Sequence, residues 1–117
     1  MSNIAAGTLR QRIRIEEKVS ITNSYGETVM EWDTVGTFWA NVRPASSREL
    51  MLAAQVQSPV DTMIVMRYNA AIVASMRAVL VRNGVDSTIY DLSAPIRDPE
   101  TGLEWMTIPA KSGISAG

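Results

Sequence analysis

A chain of 117 residues with neither cysteine nor histidine is long enough to bury one core unaided. It excludes disulfides, thiolate metal sites and any chemistry that needs an imidazole base or ligand. Its 11 basic and 12 acidic residues give no overall attraction to nucleic acid or to an acidic membrane surface, so such contacts have to be local.

The sequence "MSNIAAGTLRQR" lacks the basic start and apolar middle of a signal peptide, and no apolar run reaches the length of a membrane span. A soluble, unexported protein without a membrane contact is expected. From Leu9, "LRQRIRIEEKVSI" alternates with a period of two, Ile13 and Ile15 on one side and Arg10, Arg12 and Arg14 on the other, which predicts a half-exposed strand. Asn23, Ser24 and Gly26 supply a turn. A second strand is predicted from Val29 to Val35 and a third, after Gly36, from Thr37 to Val42, stopping at Pro44.

At Ser46 the pattern changes. Ser46 with Glu49 three residues on matches a capping box, with Ser47 as a competing cap, so a helix is predicted to about Gln57 before Pro59. Leu50, Met51 and Leu52 make it apolar over more than one face, more than its own domain needs. Residues 46–62 are therefore expected to form a helix-and-loop insertion that serves assembly.

Period two returns in "DTMIVMRY", "MRAVLVRNG" and "STIYDL", with Asn83-Gly84 as a hairpin signal. "SAPIRDPETG" is turn-rich, "LEWMTIP" is a last short strand, and residues 110–117 read as a small-residue tail, flexible or ordered by assembly. The fold class is mainly β: a small antiparallel β-barrel or sandwich in one domain, with one short α-helix and extended loops.

The chain holds no phosphate-binding loop or dinucleotide fingerprint. The acidic pairs Glu16-Glu17 and Asp98/Glu100 read as solvated surface, since Glu16 and Glu17 point to opposite faces and Asp98 flanks a proline. No catalytic, metal or cofactor site is expected. Phe38 and Trp39 lie on opposite faces, so one fills the core and the other is either covered by a loop or anchors an interface. The sequence leaves open which does which. The core is expected to contain Ile13, Ile15, Trp32, Val42, Ile64, Val79 and Tyr90. Candidates for contact with other subunits or partners are Arg10, Arg12, Arg14, Trp39, Leu50, Met51, Leu52, Arg67 and Arg77. The arginine stripe reads equally as a charge-blunted edge strand or as a contact to DNA phosphates or an acidic neighbour. Arg67 and Arg77, set in apolar strands, call for carboxylate partners in the same or the next subunit.

In order and spacing the chain resembles the head–tail joining proteins of tailed bacteriophages, the head-closure or stopper family. The resemblance is carried by Leu9, Arg12 and Ile13, by Gly26 with Trp32 and the Trp39-Ala40 pair, by Pro44 and Glu49, by Ile64 with Arg67-Tyr68, and by Met76-Arg77. It implies a structural protein of the virion neck, assembled in the host cytoplasm. A homo-oligomeric ring of twelve would sit below the adaptor and portal, retain packaged double-stranded DNA without sequence specificity, and offer a surface to the tail terminator or tail tube. The alternatives are a single-stranded nucleic-acid-binding barrel, a tail-side terminator or completion protein of the same fold, and a monomeric accessory domain.

Overall fold

The computed structural model describes residues 9–56, 59–97, 102 and 104–113. The alternation in "RIRI" builds β1 (Gln11–Thr22), which turns back into β2 (Thr28–Pro44). The turn is set by its own side chains: the Asn23 carboxamide oxygen accepts from the amides of Tyr25 and Glu27 at 2.9 and 3.0 Å, and Gly26 supplies a φ of 80°. β2 is one strand where the sequence suggests two. Gly36 is no break; the Phe38 ring lies back over it, 2.8 Å from where a Cβ would stand, so only glycine leaves room.

After the helix α1 (Ser47–Gln55) come β3 (Thr62–Arg67), β4 (Arg77–Arg82), β5 (Val85–Leu92), β6 (Ile96–Arg97) and β7 (Trp105–Ser112). Asn83 and Gly84, at φ 53° and 76°, make the two-residue turn from β4 to β5, as "NG" predicts. The two-residue β6 lies in the segment read as turns, and β7 runs on to Ser112. Ala110, expected at the start of a tail, is instead fully buried, because its neighbours Asp61 and Leu92 hold it on both sides. Residues 114–117, Asp98 and Glu100 lie outside the described residues.

All pairings are antiparallel, in the order β3-β2-β1-β4-β5-β7-β6, and β3 also pairs with β7 from Thr62↔Ala110 to Arg67↔Trp105. The sheet thereby closes in a ring. Its interior holds Ile13, Ile15, Ile64, Met66, Leu80, Tyr90 and Ile108, interleaved with the small Ala40, Ala78 and Ala110, the alternation of sizes that lets a narrow closed sheet fill. Each buried aliphatic contributes roughly 1.5–3 kcal/mol. Phe38 and Val42 pack against this core, joined by Ile72 and Met76 from the β3–β4 connection.

Trp32 is not in the core. A β-bulge at Ile15/Glu16 inserts Val35 into β2 and reverses the alternation beyond it, sending Trp32 to the outer face with Lys18. Val79, though 1% exposed, stands opposite Arg14 on the outer face and outside the core cluster.

Candidate assembly surface

Two elements leave the ring. The first is the far half of the β1–β2 hairpin. β1 pairs with β4 only as far as Glu16↔Arg77; beyond that, residues 17–22 pair with 28–33 alone. Six residues of strand amount to about 20 Å, which accounts for a long axis of 53 Å against 32 and 28 Å across. The tip carries Tyr25, 87% exposed, with Ile21 and Met30 also exposed.

An ionic cluster holds the root of this ribbon. Arg77 Nε donates to Glu16 Oε1 at 2.7 Å, Arg14 Nε to Glu16 Oε2 at 2.8 Å, and the other two Arg14 nitrogens grip Asp86 at 3.1 and 2.8 Å. The Arg77 guanidinium also lies over the Trp32 ring at 4.2 Å, with Lys18 at 5.6 Å. Glu16, expected as solvated surface, is 7% exposed. Burial alone raises its pKa, but the hydrogen bonds from Arg14 and Arg77 outweigh that and hold it below the ordinary carboxylate value. Hydrogen bonds to Asp86 and then to Glu16 raise that of Arg14. The pairing expected of Arg77 is thus made within the chain. An Arg-x-Glu sequence on one strand face was the available signal, but its partner lies 61 residues away.

The second element is the insertion between Ala45 and Asp61, whose backbones meet at 2.9 Å, so the chain leaves and re-enters the sheet at one point. The capping box forms as predicted: the Ser46 amide donates to Glu49 and the Glu49 amide to the Ser46 hydroxyl. Glu49 also receives both terminal nitrogens of Arg43 at 2.9 and 3.0 Å. Those bonds, with the contacts to Ser46, lower its pKa from 4.5 to about 2. None of the helix residues is buried; Leu50, Met51 and Leu52 are exposed, as is Val56 just beyond. Between helix and sheet lies an open cleft of about 740 Å³, lined among others by Leu52, Val56, Met63, Ile96, Trp105 and Pro109.

Elsewhere, Phe38 turns inward and Trp39 outward, 53% exposed. The register Arg12↔Trp39 sets the Arg12 guanidinium 4.8 Å from the Trp39 ring, and Arg10 and Arg82 line the same depression. Sequence neighbours gave no sign of this basic-aromatic patch, because its members come from three strands. Arg67 ends β3 exposed. Among the described residues no group of three carboxylates gathers to hold a metal.

This architecture has known counterparts. A family model described as phage head completion protein matches residues 4–113. The chain belongs to the phage head completion protein family. Its members are structural proteins of the phage virion, which agrees with the resemblance read from the sequence and makes this chain a virion protein. Protein SF1141 from Shigella flexneri 2a is similar in fold, with a TM-score of 0.77 at 23% identity over 96% of this chain and 99% of that one. A chain of the virion of a native gene transfer agent particle is similar with a TM-score of 0.55 at 16% identity, covering 91% and 98%. No curated protein sequence matches the chain.

Proposed function

We propose that this head completion family member forms a twelve-subunit ring in the neck of a tailed phage particle, below the adaptor and portal, where it retains packaged DNA and offers a surface to the tail. The observation that carries the reading is the placement of apolar surface. Of eleven large apolar side chains left exposed among the described residues, seven lie on the ribbon and the helical insertion. The closed ring is self-sufficient, whereas its two projections carry more apolar surface than an isolated subunit needs. A ring joined by unlike patches requires such a pair of surfaces, and the shared fold with a virion chain of a gene transfer agent supports it.

The test is Leu50→Asp with Leu52→Asp. Both side chains are exposed, so the folded subunit should change by less than about 0.5 kcal/mol, while charges placed in an apolar interface are strongly penalised. Circular dichroism should be unchanged, and cryo-electron microscopy should find particles without this ring and without DNA. Infectious, DNA-filled particles would refute the assignment.

The Arg12–Trp39 pair favours a second reading, direct contact with nucleic acid, since stacked rings beside cations bind bases and phosphates. Salt-dependent binding of single-stranded DNA that Trp39→Ala abolishes would support it.

A further inference from the structure

We infer that the cleft under α1 receives the ribbon tip of a second copy of this chain, a head-to-tail contact that deepens the ring reading and rests on it. The two surfaces occupy opposite ends of β2. Thr28 stands beside the tip and Pro44 beside the helix, and 17 residues of strand separate them by roughly 50 Å. A tip therefore cannot reach its own cleft. It can reach a neighbour's, and two unlike patches far apart on one subunit generate a ring or a filament.

The tip has the form of an anchor. Tyr25 is held outward on a turn whose amides are already bound by Asn23, so little ordering is lost on docking, and an aromatic seated in a pocket is the usual centre of an interface. The cleft volume falls in the range of about 300–1,000 Å³ that encloses a ligand several side chains in size. Its walls are mostly apolar.

Charge selects this occupant over another apolar segment. The ribbon from 17 to 33 carries four carboxylates against one lysine. Glu27 stands two residues from Tyr25 at the tip and Glu31 four residues further along, whereas Glu17 and Asp33, directly opposite each other, lie at the root of the ribbon. At the cleft the Arg43–Glu49 pair is self-satisfied, which leaves Arg97 on the wall. Arg67 lies on the same outer face as the cleft residue Trp105, its register partner. Among the described residues neither arginine is paired with a carboxylate. An acidic, tyrosine-tipped ribbon thus meets an apolar cleft with arginines at its edge.

The absence of cysteine makes the test clean. Phage particles are assembled with the chain carrying Tyr25→Cys and Ala53→Cys, Ala53 lining the cleft, and are then oxidised. Covalent multimers of this chain are expected, at roughly tenfold or more the yield of a Tyr25→Cys/Ser87→Cys control, as contact raises the effective concentration. Should the double variant fail to assemble, an equimolar mixture of the two purified single-cysteine chains at high concentration gives the same readout as a cross-linked dimer. Adding Arg97→Glu should reduce the yield, and Glu31→Arg should restore it. Yield no greater than the control, or a tip cross-linked to a different virion protein, overturns the inference while leaving the ring reading intact. Absence of the unaltered chain from particles would instead refute the ring reading.

Discussion

The ribbon and the helical insertion both leave the same ring, yet they are held by different physics. The ribbon is a continuation of two ring strands: its ladder runs without interruption from Gln11↔Ala40 to Thr22↔Thr28 apart from one bulge, and a nearly buried ion-pair cluster fixes its root. The insertion is local. It begins and ends at one backbone contact and is held by a cap and by Arg43 with Glu49 at 2.9 Å, where the side chains remain 41% and 27% exposed. The ribbon shares its ladder with the ring strands, whereas a helix with no buried residue opens independently of the core. On the proposed contact between unlike patches, the ribbon is the part that reaches and the helix the part that adapts.

The largest expected effect lies in neither. Ile64 is fully buried in the ring, and Ile64→Ala should cost about 2–5 kcal/mol, read as a lower urea midpoint with the slope unchanged. The helix should lose its order before the ring does in that variant, and a ribbon lost together with the helix would break the contrast between the two.

At the ribbon root, Glu16→Ala strips Arg77 of its hydrogen-bonded carboxylate at a nearly buried site, with an expected loss of about 3 kcal/mol. Arg77→Leu should cost less, since Glu16 keeps Arg14 and an apolar side chain suits an enclosed position. Equal losses would show that Arg14 contributes little, and no loss in either would break the claim that the cluster holds the ribbon.

The smallest effect is the helix's dependence on acid. Unfolded, Glu49 titrates near 4.5; folded, at about 2. A depressed carboxylate pKa stabilises above the unfolded value, so its contribution is complete above about pH 4.5 and is lost as pH falls towards 2. Helical circular dichroism should fade across that window, and Arg43→Gln should move the midpoint upward. A signal independent of pH would mean that the helix does not rely on this pair.

These differences also mark what the sequence could reveal. The period-two runs, the Asn83-Gly84 hairpin and the Ser46–Glu49 capping box are local patterns, and each forms where residue spacing places it. The facing of Trp32 depends on a bulge that pairs two residues of one strand against one of another, invisible in either strand alone. The burial of Glu16 depends on an arginine brought in by β4, and Gly36 looked like a breaker because the ring that needs its space belongs to Phe38. The exposed helix was legible as an excess of apolar faces; the cleft beneath it was not, because β6 and β7 build its far wall.

The most direct measurement is hydrogen–deuterium exchange of the chain free and within the assembled virion. Slow exchange is expected in the ring strands in both states, with protection gained on assembly at the ribbon tip around Tyr25 and across α1. Protection gained on the ring's outer faces instead, with tip and helix exchanging as fast as in the free chain, would contradict this expectation.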